Sequence, residues 1–255
     1  GEKVKAGSVL MIDKNRPEIK FVSPVSGEVT AVNRGEKRKV LSIVVKPDAQ
    51  IEYEEFGKKN VASLQGAEVK EVLLNAGMWP FIKQRPYDIV AAPLAPNFDF
   101  IVKGQEADFQ TGLNALAKLT NGKVYVGVRS GSVVSGMKGV EIVEVEGPHP
   151  AANVGVQINH IKPVNKGEVV WTVNPADVIV IGRLFNKGVA DFSRMVAITG
   201  SETTERGYVK TISGCTIKSL VNGKVLGQEH IRIISGNVLT GTKVNMDGYL
   251  GAYDN

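Results

Sequence analysis

The sequence predicts a multidomain protein of the mixed α/β and α+β classes, and three observations support this. Between turn glycines, the first fifty residues alternate apolar and polar side chains, as short strands do. Residues 51–190 alternate strand-like and helix-like segments, which favours an α/β layer. Residues 191–255 hold short strands around one helical turn, which is typical of a β-grasp module. A chain of 255 residues is long enough for three small modules.

The first module, residues 1–50, has the pattern of a flattened barrel of the barrel-sandwich, biotinyl/lipoyl-like type. The pattern is carried by Gly1-Glu-Lys-Val-Lys-Ala-Gly-Ser-Val-Leu10 and Phe21-Val-Ser-Pro-Val-Ser-Gly-Glu-Val29. Such modules usually carry a cofactor on a lysine at a hairpin tip, but the tip here is Asp13-Lys14-Asn15-Arg16-Pro17, without flanking methionines. We therefore expect a structural or docking role, with a carrier protein modified at Lys14 as the alternative. Because the pattern starts at residue 1, we also expect an N-terminal truncation of this module.

Strands and helices of the three modules follow from periodicity and end signals. The helix predicted from Pro175 to Asn186 has Asn174 as its N-cap and Gly188 beyond its end. The other predicted helices cover Ala67–Asn75, Gln105–Leu119, a segment from Ala151, and Thr216–Val221. The predicted strands are Val9–Ile12, Ile19–Val22, Glu28–Val32, Val40–Val45, Asp88–Ala92, Phe98–Val102, Lys123–Val128, Val140–Val145, Met195–Thr199, Tyr208–Ile212 and His230–Ile234. In residues 51–190 we expect a Rossmann-like domain with a largely parallel sheet, and in residues 191–255 a β-grasp (SLBB-like) domain.

Composition and charge exclude several classes of protein. The chain is 43% hydrophobic and 22% charged, which is ordinary for a globular protein, and no apolar run approaches the roughly 18 residues of a membrane helix. A single cysteine, Cys215, excludes an intrachain disulfide. The densest basic cluster, Glu36-Lys37-Arg38-Lys39, has no interleaved aromatic residues, so a solvated loop is favoured over nucleic-acid binding. Attraction of a basic face to an anionic membrane is a weaker alternative.

Catalytic and phosphate-binding motifs are absent from the sequence. The glycine-rich segment Gly127–Lys138 lacks the contiguous Gly-Lys-Ser/Thr of a P-loop and the spacing of a dinucleotide loop. It is interpreted as a hairpin or surface loop. The three histidines have no metal-ligand spacing, and His149, between two prolines, is a structural residue by default and a secondary candidate for ligand contact.

One loop combines aromatic rings with cations. Stacking surfaces and donors for carbonyl oxygens are what a quinone head group requires, so the loop is a candidate quinone-binding or docking segment. The alternative is a loop whose Trp and Phe side chains close the edge of the core. The candidate residues are Trp79, Phe81, Lys83, Arg85, Pro86 and Tyr87.

Several stretches, in the same order along nearly the whole chain, resemble the NqrA family, whose members belong to the bacterial Na⁺-translocating NADH:quinone oxidoreductases. More distantly, the chain is similar to the RnfC family of electron-transport proteins and to the NADH-oxidising subunit of complex I. The stretches are Phe21–Val29, Val32–Arg38, Gly77–Trp79 with Arg85-Pro86, Leu113–Val126, Glu146–Pro150 and Ile231–Gly241. We expect the family's N-terminal segment and C-terminal helical region to lie outside these residues.

The resemblance implies a peripheral subunit on the cytoplasmic face of the bacterial inner membrane, with no transmembrane helix. It would be one of six subunits that pass electrons from NADH to ubiquinone or menaquinone and export Na⁺. Quinone binding and complex assembly are the roles implied, with quinone as the substrate and the neighbouring membrane subunit as partner. The isolated chain is not expected to be catalytic, and it should bind no nucleic acid.

The same resemblance argues against a flavin. In the distant relatives, a run like Gly-x-Gly-Gly-Ala-Gly-Phe-Pro holds the flavin phosphate, and the corresponding place here is Gly77-Met-Trp-Pro-Phe-Ile-Lys-Gln-Arg85. Without those glycines, backbone N–H groups lose their close approach to a phosphate. No covalently bound cofactor, FMN, NADH or metal is therefore expected. An FMN-binding electron-transfer protein and a non-catalytic scaffold remain the alternatives.

Overall fold

The computed structural model describes residues 1–84, 96–148, 150–226, 231–238, 241–252 and 254. Its first module is all-antiparallel, and the four predicted strands are present. A three-stranded sheet has the order β1-β4-β5, and β2 pairs with β3 in a separate hairpin. In the described residues these two sheets are not joined into a closed barrel. The strands are β1 (Lys3–Val4), β2 (Val9–Ile12), β3 (Lys20–Val22), β4 (Gly27–Arg34) and β5 (Val40–Pro47).

The middle module begins with a capped helix. In α1 (Gly66–Asn75), the side chain of Gln65 accepts a hydrogen bond from the first turn, and Glu68 accepts the backbone N–H of Gln65. Gly77, with φ of 67°, reverses the chain after α1, and a Cβ there would press on Val22 of β3. The rest of the module comprises turns at Val61–Ser63 and Trp79–Phe81, β6 (Lys83–Gln84), α2 (Phe98–Val102), α3 (Glu106–Ala117), β7 (Tyr125–Val128), β8 (Glu141–Glu144), α4 (Val154–Ile161), β9 (Trp171–Thr172) and α5 (Pro175–Lys187).

Helix α5 is the centre of the core. Ten consecutive residues, from Ala176 to Phe185, are buried, because α3, α1 and the third module cover different sides of it. Its bounds match the prediction to one residue: Asn174 caps the first turn by accepting from the N–H of Ala176, and Gly188 ends it in the left-handed region. The predicted helices at α1, α3 and α6 are likewise present, and the helix expected from Ala151 begins at Val154.

Two predictions for the middle module were wrong. Phe98–Val102 is a helix and not a strand, because Asn97 accepts hydrogen bonds from the N–H groups of Asp99 and Phe100 and so starts a helical turn. The largely parallel sheet is also not found in the described residues, where β7 and β8 form the single parallel pair. Their connection, residues 129–140, is therefore a crossover loop and not a hairpin. The strand predicted at Asp88–Ala92 lies outside the described residues.

The third module packs two hairpins around one short helix. β10 (Ser193–Ile198) pairs antiparallel with β11 (Gly207–Ile212), and β12 (Ile233–Ser235) pairs antiparallel with β13 (Thr242–Val244). Helix α6 (Ile217–Val221) begins at Thr216, whose side chain accepts from the N–H of Ser219. This order of strands and one helical turn agrees with the sequence prediction. No helix in the described part of the chain is both long and apolar enough to cross a membrane.

Candidate ligand groove

The two tryptophans of the chain meet at the surface of the middle module. Trp79 opens the turn that follows α1 and Gly77, and Trp171 lies in β9. Strand pairing brings them together, because β9 runs antiparallel to β6 with Gln84 opposite Trp171. Their ring centroids lie 5.7 Å apart at an interplanar angle of 82°, an edge-to-face contact that leaves the face of one ring available.

These rings form one wall of an open groove of about 350 Å³. Its volume is at the low end of the range for small-molecule sites, which is roughly 300–1,000 Å³. Two lysines line it: Lys70 Nζ lies 5.5 Å from the centroid of the Trp79 ring, and Lys118 Nζ donates to the carbonyl oxygen of Ala62 at 3.3 Å. We call this feature the tryptophan groove; its lining residues are Gly66, Ala67, Lys70, Trp79, Lys118, Leu119 and Trp171.

The tryptophan groove combines a flat aromatic surface with two ammonium groups. The Lys70 ammonium is close enough to the Trp79 ring for a cation–π interaction, which orders a side chain that would otherwise be mobile. A planar ligand with carbonyl or carboxylate oxygens would find both stacking and donors in this groove. Gly66 is required at its floor, because an added Cβ there would overlap the carbonyl oxygen of Lys118.

The residues predicted from sequence are distributed over different environments. Trp79 lines the groove, whereas Phe81 is 5% exposed and packs in the core against Phe192, at a centroid distance of 6.2 Å. For Phe81 this placement corresponds to the alternative in which the loop closes the core edge. Lys83 lies in β6 beside the groove strand β9. The remaining candidates, Arg85, Pro86, Tyr87 and His149, lie outside the described residues.

Three groove residues were not predicted as site residues. Trp171 is remote from Trp79 in the sequence, and only the β6–β9 pairing joins them. Lys70 and Lys118 are single lysines on exposed helix positions, a pattern that most helices share. The available signal was that the chain has only two tryptophans, which made Trp171 the natural partner for an aromatic site.

A second groove of about 540 Å³ lies on the other side of Lys118. Its lining is polar and contains no aromatic ring, so it offers no stacking surface. It is lined by Lys59, Asn60, Val61, Ala62, Thr111, Asn114, Ala117, Lys118, Gly139 and Asn186.

Behind the tryptophan groove, two buried arginines join α5 to the third module. Asp177 in the first turn of α5 accepts a hydrogen bond from Nη2 of Arg194 in β10 at 3.1 Å, and both side chains are almost completely buried. Burial raises the pKa of Asp177 from 3.8 to about 6, and the positive charges of Arg194 and Lys83 oppose that rise only in part. Arg183 donates to the carbonyl oxygen of Ser193 at 2.7 Å and to Oε1 of Gln105 at 2.8 Å.

Asp191 at the same interface behaves differently. Burial alone would raise its pKa, but the hydrogen bonds from Ser193 and the positive charge of Arg183 outweigh burial, so the pKa is lowered. Its carboxylate accepts from the N–H of Ser193 at 3.0 Å and pairs with Nζ of Lys187 at 3.1 Å. The interface is thus an ionic network whose members are already satisfied by one another.

The remaining sequence candidates form no site in the described residues. The loop after β7 leads into β8 and not into a helix, so it lacks the helix N-terminus that phosphate loops use. Among the residues that the structure describes, no group of three or more His, Cys, Asp or Glu side chains is arranged to hold a metal ion. Lys14 is exposed in the β2–β3 hairpin, where Oδ1 of Asp13 accepts the N–H groups of Asn15 and Arg16.

Comparison with known proteins matches each module in turn. Residues 1–48 match the NqrA N-terminal barrel-sandwich hybrid domain, residues 64–190 the NqrA second alpha/beta domain, and residues 195–246 the NQRA C-terminal domain, an SLBB domain. The chain belongs to the NqrA family. The resemblance inferred from sequence motifs is therefore confirmed, as are the barrel-sandwich and SLBB assignments of the first and third modules.

Curated relatives with similar sequences are all described as the NqrA-type subunit of a Na(+)-translocating NADH-quinone reductase. The protein of Neisseria meningitidis serogroup A is 34% identical over an alignment that covers 100% of this chain and 62% of that protein. The proteins of Vibrio vulnificus strain YJ016 and Yersinia pseudotuberculosis are 36% and 34% identical, each over 99% of this chain and 61% of theirs. The chain thus spans less than two thirds of the length of these relatives.

Proposed function

We propose that this chain is part of a Na⁺-translocating NADH-quinone reductase, in which its tryptophan groove takes the head group of a quinone. The observation that carries the proposal is the edge-to-face pair of Trp79 and Trp171 with Lys70 beside it, in a chain of the NqrA family. A quinone head is flat and apolar on its faces and carries two carbonyl oxygens on opposite edges. Indole faces stack on such a ring, and ammonium groups donate to its oxygens.

The groove's openness fits a long-tailed substrate. A quinone enters with its isoprenoid tail still in the membrane or in a partner protein, so its site must be open at one side. In this proposal, Lys70 and Lys118 lie on the polar rim of the groove and Leu119 supplies apolar surface. The loop residues Lys83, Arg85, Pro86 and Tyr87 extend the site or the docking surface for a neighbouring membrane subunit.

In this proposal the chain binds and orients the quinone but does not itself transfer electrons. The segment from Gly77 to Gln84 turns with side chains of Trp79, Phe81 and Ile82 packed against the core, so it leaves no glycine cradle for a flavin phosphate. The reductase would obtain its electrons through other subunits. Residence on the cytoplasmic face of the inner membrane and contact with those subunits are part of the same proposal.

Quinone titration against tryptophan fluorescence tests the groove. A short-tailed ubiquinone and a menaquinone analogue should each be titrated into the wild type and into Trp79→Phe and Trp171→Phe, which each retain one tryptophan. We expect saturable quenching in the wild type and weaker binding in both variants. Lys70→Gln should weaken binding by roughly threefold to tenfold, in keeping with the loss of one hydrogen bond from a charged donor.

Lys58→Gln is the matched control, because Lys58 is an exposed lysine outside the groove, and it should bind like the wild type. Equal affinities of Lys70→Gln and Lys58→Gln would place the quinone elsewhere. Absence of saturable quenching in the wild type would favour the scaffold alternative, and a yellow purified protein would favour the FMN-binding one.

A further inference from the structure

The β4–β5 hairpin is a long arm of the first module. Its base is fixed where the N–H of Asp48 donates to the carbonyl oxygen of Ser26, beside Gly27 and Pro47, which pair across the strands. From Gly27 to Arg34, β4 advances about 23 Å at the rise of a strand. Toward the far end, nearly all side chains from Val32 to Leu41 are exposed. We call residues 32–41 the hairpin tip.

The hairpin tip is strongly basic. It holds four cations, Arg34, Lys37, Arg38 and Lys39, against the single carboxylate of Glu36. Among the described residues, none of these four cations forms an ion pair, so their charge is available to a partner. Nη1 of Arg34 donates to the carbonyl oxygen of Arg38 at 3.1 Å, which stabilises the turn without neutralising it.

Two of these cations occupy a costly backbone conformation. Lys37 has φ of 54° and Arg38 has φ of 60°, and they are the only non-glycine residues of the described part of the chain with positive φ. Glycine or asparagine adopts this region more easily. A turn chosen for stability alone would have one of those residues at both positions, so adjacent Lys and Arg indicate that their charge serves a function.

Aliphatic side chains flank the cations. Leu41 is 64% exposed and Val32 is 46% exposed, although both lie on strands whose other apolar residues are covered. Neither side chain contributes to the core clusters of the described residues. The tip therefore combines apolar side chains with a net positive charge on a narrow, protruding element.

We propose that the hairpin tip docks onto the surface of an anionic lipid bilayer. Lipid head groups supply the negative charge that complements the four cations, and the interfacial region takes up Leu41 and Val32. A bilayer is fluid and accepts a narrow convex tip without a complementary pocket, whereas a stable protein interface needs about 800 Å² of matched surface on each side. Nucleic acid fits less well, because the hairpin from Gly27 to Pro47 has no aromatic residue for base stacking.

This inference goes beyond quinone binding and does not depend on it. Sedimentation with vesicles tests it: the protein is mixed with vesicles of phosphatidylcholine alone and with vesicles of phosphatidylcholine and phosphatidylglycerol. We expect binding to the anionic vesicles only, and binding that weakens as salt is raised, because the screening length is only about 10 Å at 0.1 M.

The decisive comparison is between two charge-matched double variants. Lys37→Asn with Arg38→Asn removes two tip cations, and Asn tolerates the left-handed backbone, so the fold should be kept. Lys58→Asn with Lys59→Asn removes the same charge from an exposed cluster outside the hairpin. The first pair should lower partitioning about 25-fold, at about fivefold for each basic residue near an anionic surface, and the second less than about twofold. Leu41→Ser should weaken binding without changing the charge.

Equal vesicle binding by the two double variants would overturn the proposal, and so would failure of the wild type to bind anionic vesicles. A poly-glutamate column distinguishes the alternative partner. Retention there that is lost in the Lys37→Asn, Arg38→Asn variant, with no vesicle binding by the wild type, would assign the tip to an acidic protein instead.

Discussion

Asp177 and Asp191 lie at the same interface, yet their environments shift their pKa values in opposite directions. Asp177 is almost fully buried and has Arg194 as its hydrogen-bonded partner, so desolvation dominates and its pKa rises to about 6. Asp191 is better hydrogen-bonded, by Ser193 and Lys187, and its pKa is lowered despite burial. The number of donors around each carboxylate explains the difference.

The raised pKa of Asp177 predicts a specific dependence of stability on pH. Between about pH 4 and pH 6 the folded state holds a proton at Asp177 that the unfolded state has released, so the free energy of unfolding should fall as pH rises. A rise in pKa from 3.8 to about 6 corresponds to about 3 kcal/mol. Urea unfolding at a series of pH values should show this fall in the wild type and its loss in Asp177→Asn.

Asp191→Asn is the control for that measurement. Because the pKa of Asp191 is lowered, the stability it contributes is lost only as pH falls below about 3.8, so this variant should keep the wild-type slope between pH 4 and pH 6. The interpretation would be wrong if Asp177→Asn kept the slope as well.

At the scale of the elements, the close contact between α3 and α5 determines the arrangement of the middle module. Gly182 of α5 lies so close to α3 that an added Cβ would overlap the carbonyl oxygen of Asp108. Gly112 of α3 lies equally close to the carbonyl oxygen of Val178 in α5. Each helix thus approaches the backbone of the other at a glycine, which larger side chains would prevent.

Gly182→Ala should therefore destabilise the protein. Alanine is the better helix former by about 1 kcal/mol, but the methyl group would force the two helices apart, and overpacking of this kind costs typically 1–3 kcal/mol or more. Urea unfolding measures the difference. Gly136→Ala is the control: a Cβ there meets nothing within 4 Å, and the free energy of unfolding should change by less than about 0.5 kcal/mol. A neutral Gly182→Ala would show that the helices can separate without cost.

The elements that the sequence predicted well are those with local end signals. Helix α5 was predicted to within one residue because Asn174, Pro175 and Gly188 mark its ends independently of the rest of the fold. Phe98–Val102 was mistaken for a strand because five residues are too short to show a helical period, and the capping role of Asn97 was overlooked. The pairing of strands was the least predictable feature, since it depends on contacts between distant segments.

For the whole molecule, Arg183 is the main connection between α3, α5 and the third module. Its guanidinium is 6% exposed, donates to Gln105 and Ser193, and lies 3.4 Å from Oδ1 of Asp191 and 3.8 Å from Oδ2 of Asp108. A planar group with five donors can serve several acceptors at once, which a lysine cannot do.

Arg183→Met should lower the free energy of unfolding by about 3–5 kcal/mol, because it leaves buried carboxylate and amide groups without their partner. Arg206→Met is the matched control. Arg206 is exposed and donates to the carbonyl oxygen of Gly200, and its removal should cost less than about 0.5 kcal/mol. Urea unfolding of the two variants decides the matter, and equal losses would contradict a special role for Arg183.

The candidate site shows where sequence reasoning ends. Trp79 was predicted because it stands in a loop dense in aromatic and cationic residues, whereas its neighbour Trp171 entered the groove only through the β6–β9 pairing. Phe81 shares the loop with Trp79 but belongs to the core, and periodicity is of no help in a turn. Adjacent residues of a loop therefore differ in environment in a way that only the fold reveals.

The contact between Trp79 and Trp171 also has an optical consequence. At 5.7 Å the two indoles are close enough for excitation energy to pass from one ring to the other before light is emitted. Because the rings are nearly perpendicular, each such transfer turns the direction of the emitting dipole. The pair therefore behaves as a single chromophore with depolarised emission, and a quencher bound against either ring darkens both.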